Sequence, residues 1–288
     1  MTGKFQVPTN HENPPDSAII FEEYFGIKYN DSKRKPNDRI YLPVYWTNYY
    51  ISKDYGNDDM SKLQAELDAL PRDKSYFTIC QWDDGILQDL KDLDIFVYGQ
   101  GGYGDYPIPL NCIPHGSFRD DEKYSLRPTL ASFIGSVDGR HPIREKMRDV
   151  FAKEKDCVVE DRRGKGFFTK FMKMMDESKF ALCPRGYGKT SFRICEALEA
   201  GAIPVYIFDD PWIPFVDVLA FEGYGVLCHE DKLEELPSYL REIAANEQLM
   251  KNLRNNGKIA YEKFYSYDGC MNQILRMESK YNADLREE

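Results

Sequence analysis

Two α/β domains, each built on a mostly parallel sheet, are what this sequence predicts, and three observations carry the prediction. Short apolar runs bounded by turn residues alternate with segments of helical periodicity through both halves of the chain. Residues 179–208 read as a complete βαβ unit (strand, Gly-rich turn, helix, strand) of the kind that presents a phosphate-bearing ligand to a helix N-terminus. Between residues 106 and 130 prolines recur too often for a regular helix or a central strand, so this stretch is expected to be an irregular connection between the halves.

In chain order, residues 1–17 are polar and rich in Pro and Asn, an expected flexible leader. Residues 18–25 begin the ordered part, the charged run KYNDSKRKPNDR follows as a surface loop, and 40–46 read as the first strand. Residues 57–70 predict a helix because Met60, Leu63, Leu67 and Leu70 recur at helical spacing, with Pro71 as its stop. A strand over 76–80 runs into the loop Gln81-Trp82-Asp83-Asp84-Gly85, and another over 95–98 runs into Gly99, Gly101, Gly102 and Gly104. In the second half 130–134 and 157–159 read as strands, and 141–151 and 167–178 as helices. Within the βαβ unit the strands are 180–183 and 203–208, with Pro204 at a strand start where its missing N–H costs little. Gly186 and Gly188 allow close turns, Thr190 or Ser191 caps the helix, and Gly201 stops it after Ala200. A short strand over 225–228 and helices over 238–264 and 268–280 close the chain. The expected domains are 18–128 and 129–265, with 266–288 a terminal helix packing back on the first.

At 288 residues with ordinary apolar content, the chain is long enough for one large or two modest globular domains. Its net charge of −10 is spread along the sequence, which argues against a bare nucleic-acid or anionic-membrane binder while leaving room for a local basic pocket. No apolar stretch approaches the length that crosses a bilayer, and a soluble cytoplasmic protein is the expectation. The seven cysteines form no close CxxC pair, and His115, His141 and His229 are scattered; free thiols in a reducing compartment fit better than disulfides or a zinc site.

The run CPRGYGKTSFRICEALEAGAIPVYI closely resembles the hallmark of the exostosin-like inverting glycosyltransferases, family 47, in which CPRG is followed by S-x-R-x-x-E-A and then G-x-I-P-V. Cys183, Pro184, Arg185 and Gly186 match the opening; Ser191, Arg193, Glu196 and Ala197 match the helix; Gly201, Ile203, Pro204 and Val205 match the next strand. Upstream, Ala131 to Gly135 followed by Arg140 and Arg144 is similar to a family segment with two spaced arginines, and YFTICQWDDG resembles a family loop with an Asp beside a Trp and a Gly. The resemblance implies a GT-B fold, two Rossmann-like domains facing across a cleft, with the nucleotide-sugar held by the C-terminal domain and the acceptor approaching from the N-terminal one. It implies inverting transfer from a UDP-sugar, UDP-xylose among the family's donors, to a glycan hydroxyl. Short soluble relatives of this architecture are encoded by large algal viruses, which would place the protein in a host cytoplasm. A non-catalytic nucleotide-sugar-binding or scaffold protein and a retaining GT-B transferase are the alternatives. GYGKTS has the wrong span for the P-loop of a kinase.

Sugar transfer needs the leaving diphosphate stabilised and the attacking hydroxyl relieved of its proton. The helix opened by Ser191 and Phe192 supplies unpaired N–H groups and the favourable end of its dipole. By family analogy Arg140 and Arg185 neutralise the phosphates, with Arg144 and Arg193 as further candidates. Arg144 is equally suited to a salt link along its own helix, and Arg193 to a pair with Glu196 one turn on. Glu196 is the candidate acceptor of ribose hydroxyl hydrogen bonds, and Gly186, Tyr187 and Gly188 shape the diphosphate or sugar pocket. Asp83 is the candidate general base and Asp84 its alternative, both following a predicted strand; Asp209 and Asp210 look more like a turn. No cofactor is expected, the UDP-sugar being a co-substrate, and no metal is required where arginines and a helix N-terminus carry the charge. Trp46, Trp82 and Trp212 are either core residues or the lining of a carbohydrate groove.

Overall fold

The computed structural model describes residues 5–8, 19–29, 38–113, 124–137, 141–162 and 168–284. The chain divides into two compact units, Met1–Ile113 with Tyr267–Glu288, and Pro114–Ser266. The first runs α1 (Phe21–Lys28), β1 (Ile40–Tyr41), α2 (Trp46–Ser52), α3 (Ser61–Asp68), β2 (Ser75–Cys80), β3 (Asp94–Gly99) and β4 (Tyr106–Pro107). Its four strands are all parallel and lie in sequence order, with β2 and β3 paired from Ser75↔Asp94 to Cys80↔Gly99. Tyr76 to Cys80 are buried without alternation, as expected of a central parallel strand covered on both faces.

Two expectations for this unit are corrected. The strand expected over 40–46 stops at Tyr41, since Pro43 can give no ladder hydrogen bond, and Trp46 opens α2 instead. Trp46 is therefore a core residue, fully buried, with its Nε1–H donating to Thr78 Oγ1 at 2.9 Å. The leader expected over 1–17 is not free where it is described: Phe5 is buried edge-on against Tyr49 at 5.5 Å, and Asn48 Nδ2 donates to Val7 O at 2.9 Å. The rest of that stretch lies outside the described residues.

Glu22 is a fully buried carboxyl of this unit. It accepts from Thr47 N and Thr47 Oγ1 at 3.0 Å each and from Gln81 N at 2.5 Å, tying α1 and the start of α2 to the chain leaving β2. Burial raises its pKa from 4.5 to about 7 despite those hydrogen bonds.

The second unit runs β5 (Thr129–Gly135), α4 (Pro142–Phe151), β6 (Cys157–Asp161), α5 (Phe168–Asp176), β7 (Ser178–Pro184), α6 (Phe192–Glu199), β8 (Ile203–Phe208), β9 (Val226–His229), α7 (Leu236–Ala245) and α8 (Glu247–Ala260). Its five strands are parallel in the order β6-β5-β7-β8-β9, which counted within the unit is 2-1-3-4-5, the doubly wound arrangement. The topology reverses between β5 and β7, so the crevice beyond their carboxyl ends is where such a sheet binds ligands. Phe133, Leu182, Val205 and Ile207 from the strands pack with Met147, Phe151 and Leu240 from the helices.

The helix expected over 167–178 ends at Asp176, because Ser178 already pairs with Thr129 in the sheet. The helix expected over 238–264 is two: Asn246 leaves helical geometry and its side chain caps α8 by accepting from Leu249 N at 3.0 Å. A wide turn over Tyr261–Tyr265 ends this unit. α9 (Tyr267–Asp284) belongs to the first unit, where Tyr98 donates to Glu278 Oε1 at 2.7 Å and Tyr267 to Ile19 O at 2.9 Å. All seven cysteines are free, and no described helix is long and apolar enough to cross a membrane.

Phe5→Ala removes a packed ring and should lower stability by about 3 kcal/mol in urea unfolding, whereas a free leader would leave it unchanged. Glu22 holds its proton more tightly folded than unfolded, so the stability that proton contributes is present below pH 4.5 and lost as pH rises toward about 7. The loss is on the order of 3 kcal/mol, and Glu22→Gln, which cannot ionise, should flatten this part of the stability-versus-pH curve.

Candidate functional site

The β7–α6 turn stands at the reversal point of the second sheet. Arg185 continues the β7 pairing, its N–H donating to Ile207 O at 3.0 Å, and its side chain then folds back over the turn. Nε donates to Gly188 O at 3.1 Å, Nη2 to Tyr187 O at 3.0 Å, and Nη1 pairs with Asp209 Oδ1 at 2.7 Å. One planar guanidinium thus closes the turn on itself and fastens it to the end of β8. Gly186 N–H donates to Thr190 O at 2.9 Å; a Cβ on Gly186 would stand 3.4 Å from Arg144 Nη2, so glycine permits the close approach. Of the two expected caps it is Ser191 that caps α6, its hydroxyl accepting from Arg193 N at 3.3 Å. Tyr206 OH donates to Lys189 O and accepts from Trp212 N at 3.1 Å, and Lys189 Nζ pairs with Asp210 Oδ2 at 2.8 Å.

Arg144 reaches from α4 across the reversal point, Nε donating to Arg185 O at 2.9 Å and Nη1 to Ser136 O at 2.8 Å. Arg193 takes the local pairing, Nε to Glu196 Oε2 at 3.0 Å, and also donates from Nη2 to Ile134 O at 2.9 Å while stacking over Phe133 and Phe171. Glu196 is half-buried in that pair rather than an open helix acid. Tyr187 and Phe192 are exposed at 63% and 43%. Arg140 lies outside the described residues.

Asp209 and His141 are the members that sequence reasoning missed. Burial pushes the Asp209 carboxyl up, but the hydrogen bond and charge of Arg185 outweigh it and hold its pKa below the usual range. His141 caps α4: Nδ1 accepts from Ile143 N at 3.4 Å, and Nε2 faces Asp209 Oδ2 at 3.4 Å. Burial and then the Arg185 charge lower the His141 pKa against the opposing pull of Asp209 and Glu230, so the ring is neutral at pH 7 with its proton on Nε2. The only sequence signals were an acid directly after a buried strand and a histidine directly before Pro142 at a helix start. Two guanidinium groups, an imidazole and a capped helix N-terminus therefore converge on the carboxyl ends of β5, β7 and β8, an environment suited to phosphate.

Asp83 and Asp84 stand in the first unit, in the turn after β2. Gly85 N–H donates to Trp82 O at 3.0 Å and Gly85 takes φ +76°, which turns the chain sharply beside them. Asp83 is half-buried and Asp84 exposed.

Residues 101–243 match the family model of the exostosin GT47 domain. A probable glycosyltransferase of Arabidopsis thaliana is 36% identical over 126 residues, 43% of this chain and 24% of the relative. A probable glucuronosyltransferase of Oryza sativa subsp. japonica is 40% identical over 77 residues, 27% of this chain and 18% of the relative. A probable β-1,4-xylosyltransferase of Arabidopsis thaliana is 37% identical over 83 residues, 29% of this chain and 20% of the relative. The chain thus matches a quarter or less of the length of these relatives.

The cap is open to a direct test. Ser191→Ala leaves an N–H at the start of α6 without its acceptor and should cost about 1 kcal/mol in thermal or urea unfolding.

Proposed function

We propose, from the match of residues 101–243 to the exostosin GT47 domain, that the chain moves a sugar from a UDP-sugar to a glycan hydroxyl with inversion. The observation that carries this reading is the Arg185-braced turn opening on the Ser191-capped α6 at the reversal point of the second sheet. In this reading the diphosphate lies along this turn, and the first unit supplies the acceptor-side residues. The acceptor oxygen attacks the anomeric carbon as its bond to the diphosphate oxygen breaks. The bonding pair leaves on the diphosphate, and the acceptor proton passes to the Asp83 carboxylate, with Asp84 as the alternative base.

Charge growing on the leaving diphosphate is met by Arg185, Arg140 and Arg144 and by the N–H groups at the start of α6, donors that need no metal to act. Arg193 serves mainly to set Glu196, whose second carboxylate oxygen accepts from the ribose hydroxyls. Gly186 and Gly188 admit the phosphates to the backbone, and Tyr187 and Phe192 border the sugar. UDP-xylose is the donor placed first, supported by the probable xylosyltransferase among the relatives; UDP-glucuronate is next on the same ground.

Donor hydrolysis across UDP-xylose, UDP-glucuronate and GDP-sugars should single out a UDP-sugar, and strong chelators should not diminish it. Asp83→Asn should lower transfer by about 10²–10⁴-fold with UDP affinity unchanged; equal rates would remove Asp83 from the base role. Arg185→Ala should weaken UDP binding by about 1.5–3 kcal/mol in calorimetry. Product configuration read by NMR distinguishes inversion from retention.

A further inference from the structure

The first unit carries a second cluster at the carboxyl end of β2. Trp82, half-buried, sits between the buried ring of Tyr50 (centroids 5.5 Å apart, edge-on) and the exposed ring of Tyr55 (6.2 Å, planes 36° apart). Tyr103 joins them from the loop after β3. A Cβ on Gly85 would lie 2.9 Å from Tyr103 Cβ, and one on Gly101 only 2.6 Å from Trp82 O, so this loop is packed directly onto the Trp82–Gly85 turn. Tyr55 is 65% exposed and Tyr103 48% exposed, so neither ring is there to fill the core. Asp54 and Tyr55 also hold φ of +46° and +57°, a conformation that disfavours side chains of this size and that core packing does not require of an exposed residue.

From these observations we infer that the Tyr55, Trp82 and Tyr103 surface seats a neutral oligosaccharide, the acceptor of the transfer; the acceptor role rests on the transferase reading above. A pyranose ring presents an apolar face of C–H groups and a rim of hydroxyls, and exposed aromatic rings beside polar groups match both. Two buried polar atoms of the same loop, Trp82 Nε1 and Gln81 Oε1, have no hydrogen-bond partner among the described residues. One is a donor and the other an acceptor, and a hydroxyl serves either. The charge pattern selects the sugar class. Residues 53–58 and 81–87 hold Asp54, Asp58, Asp83 and Asp84 against Lys53 alone, which repels uronates and sulfated glycans and leaves neutral sugars as the fitting occupant. The same turn carries Asp83, so a chain lying on these rings brings a hydroxyl to the proposed base.

Calorimetric titration of the full chain with xylotetraose and with tetragalacturonate, each compared with UDP, tests this without requiring turnover. Xylotetraose should bind, tetragalacturonate should bind at least about tenfold more weakly, and Tyr55→Ala or Tyr103→Ala should weaken xylotetraose by about tenfold while leaving UDP affinity unchanged. Both tyrosines are exposed, so the variants should fold, and a circular-dichroism melt checks that they do. Failure of xylotetraose to bind, binding indifferent to both tyrosines, or a preference for tetragalacturonate would each overturn the inference. If UDP fails to bind while xylotetraose binds through these rings, the transferase reading falls and the carbohydrate surface stands.

Discussion

The guanidinium of Arg185 is the interaction on which the second unit's functional end depends. A parallel sheet ends in a row of strands whose following turns must each satisfy their own backbone groups, and the turn after β7 is too short and too rich in glycine to do so through regular structure. Arg185 supplies two donors to the carbonyls of Tyr187 and Gly188 and spends a third on Asp209, so the turn, the end of β8 and α6 are held in one geometry. A largely buried cation needs a partner, and Asp209 is that partner, with the neutral ring of His141 on its other oxygen. The N–H groups at the start of α6 are thereby held in one orientation relative to the sheet.

The two units use parallel sheets differently. In the second, the strand order reverses between β5 and β7, and Arg144 bridges that point by bonding the chain on both sides of it. In the first, the strands follow one another in order and no reversal provides a crevice. Its turn after β2 is held from beneath by Glu22, whose carboxyl gathers Thr47 and Gln81. Rigid support beneath and exposed aromatic rings above are the division of labour expected where loops bind and the scaffold only positions them.

Much of the fold was legible because burial on both faces leaves an unambiguous trace. The runs around Phe180 to Cys183 and Ile203 to Phe208, the serine cap and Gly201 at φ +67° all report local chain preferences, and the βαβ unit they compose is the one observed. The misread segments share a different cause. Apolar character alone did not tell strand from helix at Trp46, since a buried tryptophan suits either, and the break at Asn246 is invisible to a periodicity that resumes immediately after it.

By itself the sequence determined the α/β class and the Gly-rich turn with its capped helix, because each is written in neighbouring residues acting on their own backbone, and the motif in that turn carried the family resemblance. Only the tertiary structure decided that Asp209 pairs with Arg185 on one oxygen and faces His141 on the other, that Glu22 is buried against Gln81, and that Trp46 is core while Trp82 lies beside an exposed tyrosine. Those outcomes depend on groups far apart in sequence being brought together, and the cost of an unpaired buried charge or polar atom is set by where the chain brings it, not by its neighbours in sequence.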